Sequence, residues 1–528
     1  MNNARVMNLG QLLSQTGKLF PNRPALIQGN QQWTWSQMDE RVDSMVAAIR
    51  QMGLGKGDRI LVQSKNNVQL FESCWVAFRL GCVWVPTNFR LTPPEVAYLG
   101  ASSGAKAMIY EAGFESHVDA VKNILPTLEK VICIGNPRPG ESSYEELVQR
   151  HLHESRYTTD VSYDDPLWFF YTSGTTGRPK AGVLTHGQMA FVVTNHLADL
   201  IPGTTEEDCS IAVAPLSHGA GIHALLNVAR GAATVLPLED KLNPESFWQL
   251  VQQHRVSNLF SVPTIVKLLV EHPSVDKYDH SSLRYMVYAG APMYRADQKL
   301  ALQKLGKVLV QYFGLGEVTG CITVLPAAMH SLEDDDPNAP VGTCGRPRLG
   351  MEVAVLDNEL QHVALGTVGE ICCRGPAVFA EYNDNSLATA KALRGGWFHT
   401  GDLGRMDARG LLYITGRESD MYISGGSNVY PREVEEVFLT HQGVAEVAVL
   451  GMPDPKWGEI GVAVVVRRRE ATSLSSDELM SHLEGRCAKY RWPRKILFWE
   501  SLPKSAYGKV TKKEVRRLLN ERGDLIAA

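Results

Sequence analysis

The sequence predicts an α/β protein built on a largely parallel sheet, and three observations carry that expectation. Helix and strand signals alternate through the first 160 residues at the spacing of strand–helix–strand units. From Val341 the texture changes to short strands punctuated by glycine (VGTCGRP, MEVAVLD, GEICCRG), which reads as a small, mostly antiparallel subdomain ending near residue 415. Beyond it the chain reads as a compact α+β domain.

The elements follow in order. Thr34 and Gln37 suit a capping box that opens a helix with the apolar face Met38, Val42, Met45, Val46, Ile49 and Met52, closed by Gly53. A strand is expected at Arg59–Gln63, a helix near Val68–Leu80, and strands at Val83–Pro86, near Lys106–Tyr110 and near Lys130–Gly135. Pro166–Phe170 is a short apolar and aromatic run, hence a buried strand. Thr185 with Gln188 is a second capping box, for a helix running to about Leu200. Strands close at Val262-Pro-Thr264 and at Tyr288-Ala-Gly-Ala-Pro292, and Glu333–Asp336 reads as an exposed loop. In the last domain, Pro431–Glu435 begins a helix with proline and acids in its first turn. Strands at Val444–Leu450 and Gly461–Arg467 and a helix near Ser476–Cys487 complete it.

With 528 residues the chain exceeds one ordinary domain. Its 53 basic and 57 acidic residues leave a net charge of −4, so no global attraction to nucleic acid or to an anionic membrane is expected. The nine cysteines are scattered without zinc spacing, which favours a reducing compartment. The N-terminus lacks the apolar core of a signal peptide, and no run reaches the roughly 18 apolar residues of a membrane span. A cytoplasmic location is the expectation, with a homodimer left open.

The stretch Tyr171–His186, YTSGTTGRPKAGVLTH, places a Ser/Thr/Gly loop and a lysine between a strand and a helix. Glycines let backbone N–H groups approach an anion, while hydroxyls and Lys180 add donors. It does not fit the Walker A spacing. The bland alternative is a polar turn. The whole stretch resembles the AMP-binding loop of the adenylate-forming superfamily, which includes acyl- and aryl-CoA synthetases, peptide-synthetase adenylation domains and luciferases.

Further motifs stand in that family's order over nearly the whole chain. The resemblance implies nucleotide contacts from Thr172, Ser173, Gly174, Thr175, Thr176, Gly177 and Lys180, and an adenine platform at Gly290, Ala291 and Pro292. Gln311, Tyr312, Phe313 and Gly314 lead to Glu317, which with Thr172 would hold Mg²⁺. The family has Thr where this chain has Gly316. His218 in APLSHGAG corresponds to a position beside the reacting carboxylate, although a lone histidine is more often structural. Asp402 in GGWFHTGD corresponds to the ribose-binding carboxylate, a suitable acceptor for two vicinal hydroxyls. Arg417 matches a ribose and phosphate contact, Gly425 and Gly426 a pantetheine channel, and Lys509 the catalytic lysine. The family's charged pivot position is Ser419 here, with Asp420 beside it. Arg491, Arg494 and Lys495 could anchor the nucleotide end of CoA or form an ordinary solvated face.

The resemblance therefore implies layered α/β subdomains and a small barrel-like β subdomain in residues 1–416, and a mobile lid in 417–528. It implies an AMP-forming carboxylic acid–CoA ligase using ATP, Mg²⁺ and coenzyme A, of the kind found in fatty acid metabolism. A carrier-protein loader and a non-catalytic nucleotide-binding regulator are the alternatives.

Overall fold

The computed structural model describes residues 6–172, 178–239, 241–291, 293–424, 426–455, 457–504 and 510–523. Two large sheets organise the N-terminal part. One is seven-stranded, in the order Ser142–Ser143, Lys130–Ile134, Ala107–Glu111, Arg59–Gln63, Val83–Pro86, Pro166–Thr172, Lys180–Thr185. All its pairings are parallel except the last. The other is nine-stranded, with a parallel centre running from Leu309–Phe313 through Tyr285–Tyr288, Asn258–Ser261, Cys209–Ile211 and Ala233–Val235 to Pro24–Gln28.

The largest core lies between these sheets. It joins Ile60, Trp84 and Trp168 of the first to Leu26, Phe260 and Val310 of the second, through helices Trp35–Gln51, Val68–Leu80, His186–Asp199 and Gly219–Arg230. Val68–Leu80 is buried on nearly every side, as a helix sandwiched between two sheets must be. Separate cores cover the outer faces, under Pro93–Ser103 and Glu115–Ile124 on one side and under Pro244–His254 and Pro263–Glu271 on the other.

Both expected capping boxes form. Thr34 and Thr185 each accept from the backbone of the glutamine three residues on, whose side chain accepts from the cap in return. The glycine-rich region forms a four-stranded antiparallel sheet, Glu352–Leu356, Gly369–Arg374, Phe398–Met406 and Leu412–Arg417. The C-terminal domain is a five-stranded sheet with helices Pro431–Leu439 and Ser476–Leu483 on one core and Lys512–Arg522 on the other.

Three elements differ from expectation. The sequence reading carries Lys180 directly towards a helix, whereas Lys180–Thr185 is a strand that returns antiparallel to Pro166–Thr172 before the helix begins. Its Ala181–Leu184 run is buried throughout, so the alternation that marks a strand is missing. Lys495–Trp499 is a strand parallel to Gly458–Arg467, where the sequence suggests only a basic patch. Lys512–Arg522 is a helix whose charged sequence buries only Val515 and Leu519.

Candidate functional site

Strand Pro166–Thr172 ends at Thr172, and the returning strand begins opposite it, with Thr172 and Lys180 as register partners. The connecting residues Ser173, Gly174, Thr175, Thr176 and Gly177 lie outside the described residues, as do Pro292, Gly425 and Lys509. Lys504 and Val510, which bracket the lysine segment, form an antiparallel bridge.

Glu317 sits in a single 3-10 turn, Gly316–Val318, shortly after strand Leu309–Phe313, and is only 5% exposed. Its Oε1 accepts from the Thr172 hydroxyl at 2.9 Å and from the Tyr382 hydroxyl at 2.8 Å. Burial, reinforced by the Glu317 charge, pushes the Tyr382 phenol well above its ordinary pKa and so keeps it a donor. The Lys180 ammonium lies over the Tyr382 ring, 4.5 Å from its centroid. Thr172, Lys180 and Glu317 are thus gathered by Tyr382, a residue that sequence reasoning missed. Its segment, Glu381-Tyr382-Asn383, carries no motif that could have pointed to it.

The structure also accounts for Gly316. A Cβ there would stand 2.6 Å from a Phe170 ring carbon and 2.8 Å from Thr172 Cγ2, well inside contact distance. The space a threonine side chain needs is filled by Phe170 and Thr172. The same Phe170 ring packs on His218, with centroids 4.3 Å apart and planes tilted by 32°. His218 is half-buried at the N-cap of helix Gly219–Arg230, so one aromatic links it to the Glu317 turn.

On strand Leu309–Phe313 the side chains alternate. Tyr312 is buried against Phe260, at 5.9 Å and nearly parallel, and near His196. Gln311 and Phe313 lie on the opposite face, where Gln311 accepts from the Tyr288 hydroxyl at 3.3 Å. Gly314 packs against Gly320 too closely for any Cβ. Gly290 follows strand Tyr285–Tyr288 in an exposed turn with φ +83°, and Ala291 is half-buried beside it.

Asp402 lies within strand Phe398–Met406, with 6% of its surface exposed. Its register partner is Arg417, whose Nε donates to Oδ1 at 2.9 Å. Thr400 fixes the segment from within, accepting from the Asp402 N–H and donating to the Ile371 carbonyl. Ser419 is exposed, in a turn closed by the Asp420 and Met421 N–H groups on the Arg417 carbonyl. Gly426, at φ +81°, stands between strands Tyr422–Ser424 and Ser427–Val429. Of the basic cluster, Arg491 is paired with Glu433 at 3.0 Å and Arg494 lies over Trp457.

The arrangement brings together a buried carboxylate, hydroxyl donors, a lysine and a second carboxylate–arginine pair, groups able to hold a nucleotide's phosphates and ribose. No helix among the described residues is long and apolar enough to cross a membrane. Residues 13–383 match the family model for AMP-binding enzymes, and residues 433–509 match that for the AMP-binding enzyme C-terminal domain. The chain is 32% identical to a feruloyl-CoA synthase of Amycolatopsis sp, over 97% of this chain and 99% of that protein. It is 30% identical to an indoleacetate–CoA ligase of Aromatoleum aromaticum, over 97% and 98%. Its fold superimposes on an amide bond synthetase of Marinactinospora thermotolerans with a TM-score of 0.88, at 25% identity over 97% and 99% of the two chains. The chain belongs to the AMP-binding enzyme family.

Proposed function

We propose that the protein is an ATP-dependent carboxylic acid–CoA ligase, forming an acyl adenylate and then an acyl-CoA thioester, with release of pyrophosphate and AMP. The observation that carries this reading is the convergence of Thr172 and Tyr382 on Glu317, with Lys180 over the Tyr382 ring, in a chain aligned end to end with two CoA-thioester-forming relatives.

A carboxylate is a poor electrophile, and activation requires its attack on the α-phosphorus of ATP against mutual negative charge. Lys509 would supply a cation to that transition state, and Lys180 with the 173–177 loop would hold the departing phosphates. The Glu317 carboxylate and Thr172 hydroxyl are hard oxygen donors that meet directly, a set that fits Mg²⁺. Mg²⁺ held there would neutralise phosphate charge. Asp402 would accept from the ribose hydroxyls while Arg417 fixes its carboxylate, and Gly290 with Ala291 would flank adenine. His218, seated on Phe170, would border the reacting carboxyl group.

We place the domain boundary between Gly416 and Arg417. Strand Leu412–Arg417 ends one residue beyond it, and the next strand, Tyr422–Ser424, belongs to the C-terminal sheet. Ser419 would then be the pivot, letting the lid exchange Lys509 for the Gly425-Gly426 channel between half-reactions and exclude water. Arg491, Arg494 and Lys495 would anchor the nucleotide end of CoA, Arg491 by exchanging Glu433 for a phosphate.

The likeness to an amide bond synthetase supports one second reading, in which an amine takes the acyl group instead of a thiol. A panel of acids, headed by aryl acids because both named relatives take them, separates the two. The ligase reading predicts multiple-turnover AMP release only when CoA is present. Turnover with amines alone, or acylation of a carrier protein without any CoA thioester, would overturn it.

A further inference from the structure

Among the described residues, one group of side chains outside the nucleotide site gathers nitrogen, sulfur and oxygen donors: Glu370, Cys372 and His399. Cys372 and His399 are register partners on strands Gly369–Arg374 and Phe398–Met406, and Glu370 lies two residues before Cys372, on the same face. The Cys372 and His399 side chains are buried, and Glu370 nearly so.

A count of hydrogens exposes the problem these groups pose. His399 Nε2 lies 3.1 Å from the Arg394 carbonyl oxygen, which can only accept, so Nε2 carries the ring hydrogen. In the neutral ring Nδ1 is then a lone pair. It faces Glu370 Oε2 at 2.7 Å and Cys372 Sγ at 3.3 Å. The three ligand atoms lie within 4.8 Å of one another. The single thiol hydrogen serves one of these approaches, whereas a cation at the centre would serve all three ligand atoms at once.

We propose that Glu370, Cys372 and His399 bind one divalent cation of borderline softness, with Zn²⁺ as the type. A thiolate–imidazole–carboxylate set suits Zn²⁺ and does not suit Mg²⁺. The Nε2–H bond to a backbone carbonyl is the back-side support that orients a metal-binding histidine. On binding, the Cys372 thiol releases its proton to solvent, and Arg394, a half-exposed side chain now 2.8 Å from Glu370 Oε2, swings away. Glu370 Oε1 keeps its bond from the Gly401 N–H at 3.1 Å. The ion therefore clips the two strands together immediately before Asp402, bracing the strand that carries it.

The test uses the full chain and needs no activity. Co²⁺ added to the wild type should give one equivalent of binding and a near-ultraviolet thiolate-to-cobalt band. Cys372→Ser should abolish the band, and Glu370→Gln, should the first variant fold poorly, should weaken Co²⁺ binding by replacing a charged ligand with a neutral amide oxygen. Zn²⁺ should raise the wild-type Tm and leave that of Cys372→Ser unchanged. Absence of a thiolate band at one equivalent of Co²⁺, or its persistence in Cys372→Ser, overturns the proposal.

Discussion

The carboxylate of Glu317 and the hydroxyl of Thr172, 145 positions apart in the chain, meet at 2.9 Å, with the Tyr382 hydroxyl on the same oxygen. Glu317→Gln keeps this shape and removes the charge. Acyl-adenylate formation should fall by on the order of 10²–10³, with a raised requirement for Mg²⁺. Tyr382→Phe removes one donor to a carboxylate and should cost roughly tenfold. A Mg²⁺ titration of pyrophosphate release checks both, and wild-type behaviour of Glu317→Gln would refute its role.

Gly316 offers a packing test. Even Gly316→Ala forces a methyl group against the Phe170 ring and Thr172 Cγ2, and should destabilise the protein by about 1–3 kcal/mol. Gly316→Thr should be worse and should raise the KM for ATP rather than lower it. Adding Phe170→Leu should recover part of the loss, as a double-mutant cycle in urea would show.

Lys509 is separable by half-reaction. Lys509→Ala should slow adenylation by on the order of 10²–10³ while sparing thioester formation from pre-made acyl adenylate. Single-turnover kinetics of each half, run apart, decide it. Equal loss in both would place the charge elsewhere.

Acid should unfold the protein through its buried histidines. Burial lowers His186, His223 and His330 to about 4, from an ordinary value of 6.5. His186 is held neutral as well, its Nδ1 accepting from the Leu9 N–H. A depressed histidine leaves the unfolded chain binding more protons between those two values. Stability is thus complete above pH 6.5 and is lost as pH falls towards 4. Each should cost up to roughly 2 kcal/mol between pH 7 and 5. His223→Gln, which cannot titrate, should flatten the dependence of the urea midpoint on pH, and an unchanged slope would exclude this histidine as a contributor.

What was legible in the sequence was local. Arg59–Gln63, Val68–Leu80 and Val83–Pro86 form at the expected residues because their periodicity, caps and glycine stops agree. The Asp402–Arg417 pair could be anticipated as two motifs but not as strand neighbours, since register is a tertiary property. Tyr382 was invisible because its role comes from a loop crossing to a distant turn. Gly316 could be noticed as a departure from pattern, yet its cause lies in an aromatic ring supplied by another strand.

That crossing loop has a second consequence. Strand Lys180–Thr185 borders the seven-stranded sheet, and an unpaired border strand invites other chains to add to it. Residues 380–383 seal it: Ala380 N–H donates to the Val183 carbonyl, Val183 N–H to Glu381, and Asn383 N–H to Ala181, with Tyr382 bridging Gly182. The peptide that carries Tyr382 to Glu317 is therefore also the guard against edge-to-edge aggregation. Changes that loosen it should make the protein insoluble as well as slow, so catalytic defects mapped to this segment need a sedimentation control before any chemical interpretation.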